Sequence, residues 1–120
     1  MSVVVAVPDS PEGTAALAAA ADEATLLNTN VVIVNLGLRP LDASMLPTGV
    51  ETTVIDRIGI EQRDPLDVVL HEIDQHDTQR LVIGVRRRSA VGKALLGSLS
   101  QRLILNAPVP VVAVKVAEED

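Results

Sequence analysis

Apolar residues fall along this chain in short blocks of two kinds, and their alternation indicates the fold class. Val3 to Val7 is an unbroken run rich in β-branched side chains, the pattern of a strand buried on both faces. It stops at Pro8-Asp9-Ser10-Pro11-Glu12, where an N-cap serine, a proline at the first helical position and an acidic first turn mark a helix start. The Ala-rich helix that follows runs to about Leu27, and its small side chains suit close packing on a sheet. Val31 to Leu36 is a second buried strand. The next stretch, GLRPLDASMLPTGV, is too short and too broken by proline for a full helix. Thr52 to Arg57 reads as a third strand. Asp64-Pro65 opens a helix with Asp67 in its first turn, and Leu66, Val69, Leu70 and Ile73 give it one apolar face. Leu81 to Val85 is a fourth strand, Ser98 to about Asn106 a short helix, and Val109 to Val116 a fifth strand.

This order predicts a single α/β domain spanning residues 1–120, with no internal repeat and no linker. Its core is an open, mostly parallel five-stranded sheet with right-handed crossovers and helices on both faces. Ligands of such Rossmann-like folds bind outside the carboxyl ends of the strands, at a topological switch point. Those ends lie after Val7, after Leu36 and after Ile83.

Composition removes several alternatives. Of the 120 residues 48% are hydrophobic, yet none is Phe, Trp or Tyr, so no ring is available to stack on a base. A net charge of −6 also argues against nucleic acid as a partner. The absence of cysteine excludes disulfides and thiolate zinc sites. No signal peptide or membrane span is visible, so the expectation is a cytoplasmic domain without a membrane partner.

Candidate chemistry concentrates in GVRRRSAVGKALLGS, Gly84 to Ser98. Four of the ten Lys and Arg residues lie between Arg86 and Lys93, directly after the fourth strand. A P-loop ending at Gly92-Lys93 would need glycine at position 87 and a hydroxyl at 94, which here are Arg87 and Ala94. That motif is excluded. Gly97-Ser98 opens the last helix, and Ser98-Leu99-Ser100-Gln101 has capping-box spacing. Unpaired amides at such an N-terminus favour an anion, which could approach the bare Gly97 backbone. Residue chemistry alone leaves two readings open: a built anion site, or a solvated basic loop with a serine cap.

With these residues in view, the sequence resembles the universal stress protein family. That family's signature is a glycine ending the fourth strand, two residues, a second glycine, nine residues, then Gly-Ser or Gly-Thr. Gly84, position 87 and Gly97-Ser98 keep that spacing. VVVAVPDS is similar to the family's opening strand, Asp64-Pro65 to its Asp-Pro, and PVPVVAVKV to its closing strand. The resemblance implies a stress-related regulatory protein governed by an adenine nucleotide, ATP or AMP, with or without Mg2+, and no metabolite turnover. It assigns adenine to Val7, Pro8, Asp9 and Leu36, and ribose and phosphates to Gly84, Gly97, Ser98 and Ser100.

Arg87 replaces the family's second glycine, and Pro8-Asp9 stand where it has Asp-Gly. The stretch looks like an Arg-rich variant of the motif, which adds Arg86, Arg88 and Ser89 as phosphate contacts. The Arg87 guanidinium would stand in for lost backbone donors. The alternative is a dimeric interaction module that binds no nucleotide, its Arg86–Arg88 loop contacting an acidic protein partner.

Two further features complete the reading. His71 and His76 lie five apart on one helix and diverge, which does not make a metal site. Val109, Val111, Val112, Val114 and Val116 predict an apolar sheet edge, and pairing it across a two-fold axis would give a homodimer. The resemblance implies the same interface.

Overall fold

A computed structural model describes residues 1–56, 63–87, 94–95 and 97–117. The chain runs β1 (Ser2–Val7), α1 (Pro11–Leu27), β2 (Asn30–Asn35), a single 3-10 turn (Ala43–Met45), β3 (Thr52–Asp56) and α2 (Pro65–Gln75). It continues through β4 (Thr78–Arg87), β5 (Ala94–Leu95), α3 (Ser98–Asn106) and β6 (Val111–Ala117). The stretch after β2 thus makes one turn where a full helix was excluded by its prolines.

Five parallel strands lie in the order β3-β2-β1-β4-β6. The α/β architecture expected from the alternating blocks is the one observed. Central β1 is buried along its whole length, and its side chains split by parity. Val3, Val5 and Val7 pack with Ala16, Leu17, Ala20 and Ala24 of α1. Val4 and Ala6 face the other layer, with Leu66, Val69 and Ile73 of α2 and Leu103 of α3. Alanines at the α1 contact let that helix sit close to the sheet, as the composition predicts. Leu70 is only half-buried, while Val68, absent from the predicted apolar face, is fully covered.

Registration brings three strand ends level. Val7 is opposite Asn35, and Asn35 is opposite Asp56, so β1, β2 and β3 finish in one row. β4 runs on to Arg87 alongside β6, well beyond the predicted limit at Val85. The extension is a backbone effect: ladder bonds to a neighbour form whether the side chain is Val or Arg. Where β1 has turned away into α1, the two-residue β5 pairs antiparallel with Arg86 and Arg87.

The last strand starts later than predicted. Val109 lies between Pro108 and Pro110, outside β6, with its side chain against the α2-side core. Neither proline has an N–H to donate, and the Pro110 carbonyl instead accepts from Leu81 N at 3.0 Å. Val111 packs into the α2 layer, and Val112 and Val114 into the α1 layer. What β6 leaves open on its outer side is therefore chiefly backbone.

Candidate functional site

Asn35 organises the carboxyl end of the sheet. It interrupts the run VVIVNL at the last position of β2, and burial leaves it only 4% exposed. A buried amide left unpaired would be costly, and this one is well satisfied. Its Nδ2 donates to Asp56 Oδ1 at 2.7 Å and to the Arg39 carbonyl at 2.8 Å. Its Oδ1 accepts from Gly37 N at 3.0 Å. One side chain thus ties β2 to β3 and folds the 37–39 segment over the strand ends.

Gly37 lets that segment come close. A Cβ there would stand 3.2 Å from Asn35 Oδ1 and 3.3 Å from Asp9 Cβ. Arg39, two residues on, reaches across to Asp9 at 3.7 Å, with both side chains largely exposed. Beneath this bridge lies an open cavity of about 460 Å³, a size that suits a small organic ligand. Val7, Pro8, Asp9 and Ser10 form one wall, with Thr14 from the first turn of α1. Asn35, Gly37, Arg39 and the turn after them form the other. Asp42 starts the 3-10 turn, and accepting from Ser44 N at 2.9 Å holds its carboxyl below the usual range.

Of the residues assigned to adenine, Val7, Pro8 and Asp9 line this cavity. Leu36, also assigned to adenine, is not part of that lining. Its N–H donates to the Val7 carbonyl at 2.9 Å, while its side chain is buried in the α2-side core.

The first turn of α1 is fixed by two close approaches. A Cβ on Gly13 would stand 2.0 Å from the Pro8 carbonyl oxygen, and one on Gly84 2.2 Å from the Glu12 carbonyl oxygen. Both glycines make room for the backbone of this corner, so the helix sits directly on the end of β1 and on β4. Glu12 follows from that placement. Its carboxylate accepts from the Ser10 hydroxyl and from Arg86 Nε at 2.5 Å. The Ser10 bond and then the guanidinium hold its pKa at about 2, against an ordinary 4.5.

Ser10 occupies the predicted N-cap position, but its hydroxyl caps no helix amide. Its backbone carbonyl does that work, accepting from Gly13 N at 3.0 Å. Arg86, expected as a phosphate contact, has its Nε committed to a carboxylate.

The capping box expected from Ser98 to Gln101 does not form. Gly97 is the N-cap of α3, with extended backbone, and its carbonyl accepts from Gln101 N at 3.0 Å. Glycine gives up only a few tenths of a kcal/mol to serine as a cap. Ser98 is thereby the first helical residue and is exposed, while Ser100 is half-buried. A Cβ at Gly97 would meet nothing within 4 Å, so the described structure makes no steric demand for glycine there. Arg88, Ser89 and the side chain of Arg87 lie outside the described residues.

The sequence reading missed Asn35, Arg39, Gly13 and Glu12. Asn35 alone left a legible signal, as the one amide in an otherwise apolar strand end. On α2, Glu72 sits between His71 Nε2 at 3.9 Å and His76 Nε2 at 3.4 Å. Among the described residues no cluster of histidine and carboxylate ligands could hold a metal ion.

A doubly wound domain with an open cavity at its strand ends is of the Rossmann-like α/β class, a class whose ligands bind at that edge of the sheet. Comparison with known proteins narrows the class. The model of the universal stress protein family matches residues 41–115. A universal stress protein of Mycolicibacterium smegmatis is 38% identical over 125 aligned positions, covering 94% of this chain and 96% of that one. The chain belongs to the universal stress protein family.

Solved structures agree on the fold. A universal stress protein from Archaeoglobus fulgidus superposes with a TM-score of 0.72 at 27% identity, covering 96% of this chain and 98% of that one. An A. fulgidus complex with dAMP gives 0.66 at 23% identity, over 96% and 98% of the two chains. A universal stress protein in complex with cAMP gives 0.64 at 18% identity, over 95% of each.

Proposed function

We propose that this chain is a regulatory protein whose cavity at the ends of β1 and β2 takes the adenosine part of an adenine nucleotide, AMP or ATP. The carrying observation is the cavity itself, built from the segments at which ligands of this fold class bind. The dAMP and cAMP complexes of related proteins support the choice of ligand class. Among the described residues, the charged groups that line the cavity are the carboxylates of Asp9 and Asp42 and the guanidinium of Arg39. That balance suits a neutral base and ribose rather than phosphates. The phosphates then lie toward Gly97, Ser98, Ser100 and the arginine loop, where α3 presents its N-terminal amides.

Occupancy of the site is the signal, read by a protein partner, and the chain turns over no metabolite. It acts in the cytoplasm as a homodimer through β6. No helix among the described residues is long and apolar enough to cross a membrane.

Calorimetric titration with AMP, ADP and ATP, each with and without Mg2+, tests the reading. Ligand at about a hundred times its Kd adds about 2.7 kcal/mol to stability, a shift of several degrees in a circular-dichroism melt. Gly97→Val should abolish binding and lower the ligand-free stability by no more than a helix cap, about 1 kcal/mol, since a Cβ there meets nothing among the described residues. No heat and no shift with any nucleotide would overturn the reading in favour of an interaction module.

A further inference from the structure

A purine ring bound in this cavity needs both of its flat faces covered, and the chain has no Phe, Trp or Tyr with which to do it. The partly exposed ring of Pro8 can cover one face, since the Val7 side chain is buried against α1. For the other, the carboxylates of Asp9 and Asp42 being anionic, the described lining offers the Asn35 amide and the Arg39 guanidinium. The amide is buried and fully committed to Asp56, Arg39 and Gly37. The guanidinium is not.

Arg39 combines a fixed backbone with a loosely held head. Its carbonyl is anchored by Asn35, and Gly37 presses its segment onto Asp9. Its head contacts Asp9 at 3.7 Å, with the two side chains 86% and 75% exposed. The ion pairs of Arg80, Arg86 and Arg102 each close to 2.5 Å. An exposed pair with that separation is heavily screened. Leaving it costs little, because Asp9 stays in water. Guanidinium planes stack on heteroaromatic rings, which a lysine ammonium cannot do.

We infer that Arg39 is the base-covering residue of the site. When a purine nucleoside enters, the guanidinium leaves Asp9 and lies flat on the ring, which is thereby held between arginine and Pro8. This rests on the nucleotide reading above, and it assigns to Arg39 the stacking role that the composition denies to Phe, Trp or Tyr.

The test is calorimetry of AMP and of uncharged adenosine with the wild type, Arg39→Lys and Arg39→Ala. Because adenosine has no phosphate, charge attraction drops out of its affinity. Both variants should weaken adenosine and AMP about tenfold, the scale of stacking lost from one base. Their ligand-free melts should match the wild type, given the exposure of the side chain. An Arg39→Lys variant that binds adenosine as the wild type does would overturn the inference and leave the nucleotide reading intact. So would variants that lose AMP affinity but keep adenosine affinity, because the contact would then be to phosphate. If the wild type binds AMP alone, an unchanged AMP affinity in Arg39→Lys overturns it equally. A wild type that binds neither probe overturns this inference, and one that also fails to bind ADP and ATP overturns the reading on which it rests.

Discussion

Glu12 shows how much one carboxylate can organise. Its side chain is only 14% exposed and sits between a serine hydroxyl and a guanidinium. Its folded pKa of about 2 lies below the ordinary 4.5, so the stability it contributes is complete above pH 4.5 and is lost as pH falls from there toward 2. Glu12→Gln should lower neutral-pH stability by about 1 kcal/mol, a figure discounted for the half-exposed arginine. It should also flatten the acid limb of a urea-denaturation series between those pH values. A variant with an unchanged acid limb would show that the carboxylate is unperturbed.

Glycines make a second case, because one residue type plays opposite parts. Gly13→Ala gains up to about 1 kcal/mol of helix propensity. Against that, its Cβ would stand 2.0 Å from the Pro8 carbonyl, and relieving such a clash costs about 1–3 kcal/mol or more. The clash wins. Gly13→Ala and Gly84→Ala should both lower the denaturation midpoint, while Gly97→Ala, which meets no steric clash, should lower it less, by no more than a helix cap of about 1 kcal/mol. Equal midpoints for all three would contradict the close approach of α1 to the sheet.

At the scale of elements, α2 and α3 are joined through a cap. Asp64 accepts from Leu66 N at 3.0 Å as the N-cap of α2 and also receives Arg102 of α3, at 3.1 and 2.5 Å. Asp64→Ala removes both functions and should cost about 1–2 kcal/mol. Asp64→Asn keeps a competent cap and loses only the charge pair, so it should cost less than about 1 kcal/mol. Denaturation of the two side by side separates cap from pair, and equal losses would assign the effect to the pair alone.

The elements themselves were largely legible before the structure. Continuous β-branched runs exposed β1, β2 and β6, and Ser10-Pro11 and Asp64-Pro65 placed two helix starts. The ends of β4 were hidden because Thr78-Gln79-Arg80 and Arg86-Arg87 are polar. They belong to the strand through backbone pairing with β1, β5 and β6, which leaves no hydrophobic trace.

For the whole molecule, the outer side of β6 is the question. Among the described residues β6 pairs with β4 alone, and its other side presents unpaired backbone groups. Dimerisation there should appear as a two-chain mass in sedimentation equilibrium, with a melting temperature that rises with protein concentration. A monomer at all concentrations would exclude the interface.

What the sequence determined by itself is the order of strands and helices and the parallel sheet they build. Those follow from hydrophobic periodicity and from the handedness of parallel crossovers, both of which are local or nearly so. The tertiary structure decided which residues meet across the strand ends. Asn35 with Asp56, Arg39 with Asp9, Glu12 with Arg86 and Asp64 with Arg102 join residues from 21 to 74 positions apart or bridge separate loops. Such partners depend on strand register and on how closely a helix can approach a sheet. Neither quantity is written in any one stretch of the chain, because each is the outcome of packing all the layers together.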